Sequence, residues 1–203
     1  MAKDKTQHYF SAQLTSDYHE QSFSASLRKT LFTFYTASGV FSIKKIDKGS
    51  ELLINNAVIT ERAKTLLDLG CGYGPVGVVL GKCFPKKEIL MTDVNERAIL
   101  LAKKNIAKNK VENAKVRTSD GFTNIKEYFD IILLNPPQTA GKKLCLHLIE
   151  ESYKHLNKDG TLQIVARHQK GGKSLSQHMK NFFGNLEEVA KGSGYRIYLS
   201  VKV

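Results

Sequence analysis

Between residues 65 and 166 the sequence alternates short apolar runs with amphipathic stretches, and this alternation restricts the fold more than any other feature. The runs at 65–69, 88–93, 114–118, 129–134 and 161–166 have the length and content of buried strands. The stretches at 76–83, 96–109 and 143–155 carry apolar residues at helical spacing. Strand and helix in turn predict parallel strands joined by crossover helices, a doubly wound α/β sheet. Asn157-Lys-Asp-Gly160 reads as the turn before the fifth run. The tail reads as two more strands, 186–190 and 195–201, around Gly192-Ser-Gly194, so an antiparallel hairpin should finish an otherwise parallel sheet.

Residues 1–60 differ in character. They are rich in aromatics, and Leu31-Phe-Thr-Phe-Tyr-Thr36 alternates in the way of a small β element. Leu52, Leu53, Ile54 and Val58 then fall at near-helical spacing, with Ser50 as the expected N-cap. With 203 residues and 41% hydrophobic content, the simplest division is an N-terminal extension, 1–60, packed on a main domain, 61–203. Cys71, Cys83 and Cys145 are odd in number and lack paired metal-ligand spacing, so they read as thiols in a reducing compartment. No run reaches the roughly 20 apolar residues of a membrane span, and the polar N-terminus lacks the apolar core of a signal peptide, which points to the cytoplasm. The 31 Lys and Arg against 19 Asp and Glu give a net charge of +12, which suits a polyanionic partner such as RNA, although a merely solvated basic surface would look the same.

The first apolar run ends in Asp68-Leu-Gly70-Cys71-Gly72-Tyr-Gly74-Pro-Val-Gly77. Glycines at this density let the chain turn sharply and let bare backbone approach a ligand. Gly72, Gly74 and Gly77 satisfy the dinucleotide pattern G-x-G-x-x-G, so spacing alone leaves the cofactor open. Asp68 tilts the choice, because an acid at the strand tip repels a pyrophosphate and suits a cationic amine. Asp93 ends the second run and can accept both hydroxyl hydrogens of a ribose, with Val94 beside it; a helix cap by Asp93 or Asn95 before Glu96 is the bland alternative and is compatible with that role. Ser119-Asp120-Gly121 follows the third run, as a cofactor-side loop or as an ordinary β-to-α turn. The fourth run ends in Asn135-Pro136-Pro137, where two prolines hold an amide stiffly at the edge of the sheet. The Asn135 side-chain oxygen, with the Asn135 or Pro136 carbonyl, can accept hydrogen bonds from an NH₂ group and aim its lone pair. The six histidines form no compact ligand pattern, so no metal is expected, and Cys71 has no neighbouring base to make it a nucleophile.

Asp68-x-Gly70-x-Gly72-x-Gly74 resembles the first motif of class I S-adenosylmethionine methyltransferases. Together with Asp93-Val94-Asn95, Asn135-Pro-Pro, Ser38-Gly-Val-Phe41-Ser and Asp47-Lys-Gly49-Ser50, the chain resembles the small methyltransferase domain family, and within it the RsmC-type small-subunit ribosomal RNA guanine-N2 methyltransferases and their single-domain relatives. The resemblance covers roughly residues 8–201. It implies a Rossmann-like sheet of seven strands and S-adenosylmethionine as cofactor. It also implies that Asp68, Gly70, Cys71, Gly72 and Gly74 hold the methionine end, Asp93 and Val94 the ribose, and Ser119 and Asp120 the adenine side, with Asn135 and Pro136 on a guanine N2 amine of 16S ribosomal RNA. The larger enzymes of that type carry an additional N-terminal domain for which this chain has no room, so RNA docking is expected to use residues 1–60 and the basic surface. Gln138 stands where many base-methylating relatives carry a stacking aromatic. Phe41, Tyr73 and the His8-Tyr9-Phe10 cluster are the alternatives, although core packing is the commoner fate of an aromatic. Pro137, Lys142 and Lys170 are candidate substrate contacts, and Lys143, Arg167 and Lys173 lie in the same loops. Competing readings are glutamine methylation of a protein, adenine-N6 methylation, and a non-catalytic RNA-binding assembly factor of the same fold.

Overall fold

A computed structural model describes residues 19–40, 42 and 45–203. The elements run β1 (Glu20–Leu27), β2 (Thr30–Ala37), α1 (Lys48–Asn56), β3 (Thr65–Leu69), α2 (Pro75–Cys83), β4 (Glu88–Asp93), α3 (Glu96–Lys108) and β5 (Ala114–Thr118). After these come β6 (Phe129–Leu134), α4 (Lys142–Lys154), β7 (Leu156–Arg167), α5 (Lys173–Phe183), β8 (Glu187–Gly192) and β9 (Tyr195–Val201). Seven strands form one sheet in the order β5-β4-β3-β6-β7-β9-β8, and β1 and β2 form a separate hairpin. Strands β3 to β7 are parallel, while β9 runs antiparallel to both β7 and β8. The doubly wound sheet with its antiparallel C-terminal hairpin is therefore present as the sequence implied.

Three local expectations are corrected. The N-cap of α1 is Asp47, whose carboxylate accepts the Ser50 backbone N–H at 2.9 Å; Ser50 itself lies inside the helix. Asn157-Lys-Asp-Gly160 is not a turn before a strand but an irregularity within β7. The pairing with β6 jumps from Phe129↔Leu156 to Ile131↔Thr161, and Asp159 takes a φ of 60° there. Tyr73 is a core side chain and not a stacking platform: it is 2% exposed, and its ring packs edge-on against Phe23 and Phe34. Phe41 and His8-Tyr9-Phe10 lie outside the described residues.

Alternation along each strand divides the core between the two faces of the sheet. Leu66, Met91, Ile131, Leu133 and Val165 join a cluster with α1, α2, α3 and the hairpin. Leu67, Leu69, Ile132, Leu134 and Ile164 join a second cluster with α4 and α5. The same period of two puts Asp68, Asp93 and Asn135 on the face shared with Leu66, Met91 and Leu133. Strand order reverses between β3 and β6, and in such sheets a crevice opens beyond the carboxyl ends of the strands at that point.

Two asparagines one helical turn apart attach the N-terminal hairpin. Asn105 accepts from Tyr35 N at 2.7 Å and donates to the Tyr35 and Tyr73 carbonyls at 2.9 and 2.8 Å. Asn109 does the same to the Thr33 N–H and carbonyl. These side chains satisfy edge groups of β2 that would otherwise need a partner strand. The β1–β2 turn is Arg28-Lys29, both at positive φ, and the Arg28 guanidinium donates to the Ile54 and Ala57 carbonyls at the end of α1.

Candidate active site

A cavity of about 1120 Å³ opens at the switch point, lined from the ends of β3, β4 and β6, the loop after β5, and the N-terminal region before α1. Its size suits a nucleoside-sized ligand together with part of a second one.

The β3–α2 loop forms one wall. Gly70 and Gly72 have φ of 70° and 57°, and a Cβ on either would meet no atom within 4 Å, so bare backbone faces open space. Gly77 has a different reason to be glycine: a Cβ there would stand 2.5 Å from Met91 Cγ, which lets α2 lie directly on β4. The amides of this loop are largely taken. Cys71 N donates to the Thr92 carbonyl at 2.8 Å, Gly72 N to Asp93 Oδ2 at 2.8 Å, Gly74 N to the Cys71 carbonyl at 2.9 Å, and Gly77 N to Asp68 Oδ2 at 2.8 Å.

Asp68 is 4% exposed, and burial, with the nearby Asp93 charge adding to it, pushes its pKa from 3.8 up to about 7 against the opposing Gly77 N–H. Asp93 accepts from Gly72 N and, through Oδ1, from Asn95 N at 2.9 Å; burial still raises its pKa. The helix cap is Asn95, whose side chain accepts from Arg97 N and Ala98 N, so Asp93 is not the cap of α3. The Cys71 thiol is buried, and burial, with the charges of Asp68 and Asp93 adding to it, raises its pKa well above the ordinary range and keeps it protonated. Ser119 is tied within its own turn, to the Gly121 carbonyl and Asn124 N, while the exposed Asp120 lines the cavity.

The opposite wall centres on Asn135. Its Nδ2 donates to Asp47 Oδ2 and Ser50 Oγ, each at 3.0 Å. The Pro136 carbonyl accepts from Gln138 N at 2.8 Å, which occupies one of its two lone pairs. Gln138 clamps two loops together, donating to the Lys170 carbonyl at 2.9 Å and accepting from Arg167 N at 2.9 Å. Arg167 Nε donates to Tyr195 Oη at 2.8 Å, and Tyr195 Oη approaches Asp47 Oδ1 at 3.3 Å.

Of the residues singled out from the sequence, Asp68, Gly70, Cys71, Gly72, Asp93, Val94, Ser119, Asp120, Asn135, Pro136, Pro137 and Lys170 all line this cavity. Gly74 caps α2 in a left-handed conformation behind the wall, and Lys142 is exposed at the start of α4 outside it. Sequence reasoning assigned Asp47, Ser50 and Tyr195 no role in the site, although Ser50 was expected to cap α1; they join it from positions far away in the chain. Among the described residues no three His, Cys, Asp or Glu side chains gather as a metal site, and no helix is long and apolar enough to cross a membrane.

A doubly wound sheet ending in an acidic glycine loop, a second acid and an asparagine before two prolines is the architecture of class I methyltransferases. The chain belongs to the methyltransferase small domain family, which matches residues 31–199. It is 40% identical over 200 residues to the uncharacterized protein YbxB of Bacillus subtilis (strain 168), covering 98% of this chain and 100% of that protein. It is 34% identical over 174 residues to ribosomal RNA small subunit methyltransferase C of Haemophilus influenzae (strain PittEE), covering 84% of this chain and 51% of the relative. Its fold matches that of the T. thermophilus 16S rRNA N2 G1207 methyltransferase (RsmC), solved in complex with AdoMet and guanosine. The TM-score is 0.76 at 22% identity, over 91% of this chain and 51% of that one. The chain thus spans about half the length of these ribosomal RNA methyltransferases.

Proposed function

We propose that this protein transfers a methyl group from S-adenosylmethionine to an exocyclic base amine of RNA, guanine N2 of small-subunit ribosomal RNA. The observation that carries the cofactor assignment is the condition of the glycine loop: the N–H groups of Cys71, Gly72, Gly74 and Gly77 already have partners, and two of those partners are carboxylates. A dinucleotide site needs such amides for its pyrophosphate and would be repelled by the acids. An amino acid joined to a nucleoside through a cationic sulfur fits the same wall, with Asp68 and the loop toward the ammonium, Asp93 toward the ribose hydroxyls, and Asp120 toward the adenine side.

S-adenosylmethionine supplies, when bound, a methyl group on a positively charged sulfur that a neutral amine can attack. Asn135 accepts an N–H of that amine, with the remaining Pro136 lone pair as a second acceptor. This holds the nitrogen lone pair in line and stabilises the positive charge that grows on nitrogen. The proton leaves to solvent after transfer, so no strong base is required. Pro137 and Lys170 face the incoming base, Lys142 meets the phosphate backbone, and the segment before residue 60 helps dock the RNA. A net charge of +12 and the family relationship to ribosomal RNA methyltransferases support RNA as the acceptor.

The test is nucleoside mass spectrometry of small-subunit ribosomal RNA incubated with the protein and S-adenosylmethionine. N2-methylguanosine is expected. N6-methyladenosine, or methylglutamine in ribosomal protein with unchanged RNA, would replace the acceptor assignment.

A further inference from the structure

The motif Asp47-Lys-Gly49-Ser50 is unexplained by cofactor or acceptor binding as described, yet two of its residues converge on Asn135. The Asp47 carboxylate accepts from Ser50 N at 2.9 Å, from Asn135 Nδ2 at 3.0 Å and from Tyr195 Oη at 3.3 Å. Ser50 Oγ accepts from Asn135 Nδ2 at 3.0 Å. A Cβ on Gly49 would stand 2.8 Å from Tyr195 Cε1 and 3.0 Å from Asp47 Oδ2, so glycine lets the tyrosine reach the carboxylate. Arg167 offers only donors, so the Tyr195 oxygen accepts from Arg167 Nε and its hydroxyl hydrogen is left for Asp47.

An ionised carboxylate can only accept hydrogen bonds, so the side of the Asn135 amide that faces α1 has to be its NH₂. Both amide hydrogens are then taken, by Asp47 and Ser50, and the group Asn135 has left to offer the cavity is the acceptor Oδ1. We propose that Asp47 and Ser50 are positioning residues that lock the Asn135 amide with its oxygen toward the acceptor. This restricts the site to substrates presenting an N–H₂ edge and rejects a carbonyl or an unprotonated ring nitrogen there. The charge-assisted bond that Asn135 donates to Asp47 also polarises the amide and strengthens its oxygen as an acceptor. The inference rests on the reading of Asn135 as the residue that meets the target amine.

Asp47→Asn keeps the size and the helix-capping ability of the residue but leaves one acceptor oxygen for three donors. Methyl transfer to small-subunit ribosomal RNA at saturating cofactor is expected to fall about 10- to 100-fold, with S-adenosylmethionine affinity changed less than about twofold. Ser50→Ala should lower transfer several-fold, and Ser50→Thr should restore it. On an Asn135→Ala background, Asp47→Asn should cause no further loss, which a merely structural role would not reproduce. Independently of turnover, the Asn135 side-chain amide protons should exchange slowly with solvent in the wild-type protein and fast in Asp47→Asn, as read by nitrogen-15 NMR. Wild-type transfer by Asp47→Asn, or equal exchange in the two proteins, would overturn the inference. A wild-type protein that binds S-adenosylmethionine, shows the slow amide protons and methylates no RNA would overturn the proposed function while leaving the locked amide standing.

Discussion

The two walls of the cavity are made of different material. The wall under β3 and β4 is mostly backbone, and its bonds join Asp68 to Gly77 and Asp93 to Gly72, partners 9 and 21 positions apart within one β-α-β unit. The wall under β6 is made of side chains brought together over long distances, with 88, 85 and 148 positions separating the partners Asn135–Asp47, Asn135–Ser50 and Tyr195–Asp47. The first wall is complete once β3 and its neighbour β4 have paired. The second exists only once the sheet and the N-terminal segment have closed on each other.

If this division is real, damage to one wall should spare the work of the other. Asp93→Ala removes a buried carboxylate from the loop wall, and S-adenosylmethionine affinity should weaken about 10²- to 10⁴-fold, since two bonds to a charged acceptor contribute about 1.5–3 kcal/mol each. Transfer at saturating cofactor should change far less. Intact affinity with collapsed turnover would erase the division.

Asn105→Leu should act on both walls through stability. It leaves the Tyr35 N–H and the Tyr35 and Tyr73 carbonyls without their side-chain partner, and urea unfolding should show a loss of about 2–3 kcal/mol. An unchanged midpoint would mean that the hairpin is held by its apolar contacts alone.

The smallest effect sharpens the loop wall further. Asp68 titrates near 7 in the free protein, raised from 3.8, so its cost to native stability grows as pH rises from about 4 to 7 and is constant above. An ammonium beside it would favour the charged form. Cofactor binding at about pH 6.5 should therefore release a fraction of a proton, and almost none at about pH 8.5, as read by calorimetry in buffers of different ionisation heat. No release at the lower pH would remove the ammonium from Asp68.

The contrast between the walls also explains what could be read from the sequence. Asp68, Asp93 and Asn135 sit at the ends of apolar runs, and the period of two along each strand puts them on one face without knowledge of the fold. The glycine spacing was legible as a ligand loop, but not the fact that its amides are already paired, which depends on where Asp93 ends in space. Asp47 and Tyr195 carried no local signal of their own role, because each acts only through a partner far along the chain. The strand β1 was hidden for a similar reason: its turn is Arg28-Lys29 in place of glycine or asparagine, held by bonds from Arg28 to the end of α1. Local sequence cannot choose the N-cap of α1, because Ser50 is as good a capping type as Asp47, and its hydroxyl serves Asn135 instead.

The most direct test of the two-wall account is Asn135→Ala, titrated with S-adenosylmethionine and assayed for transfer in the same preparation. Cofactor affinity within about twofold of wild type, with product formation lowered about 10²- to 10³-fold, is the expected result. Loss of cofactor binding, or transfer at the wild-type rate, would contradict it.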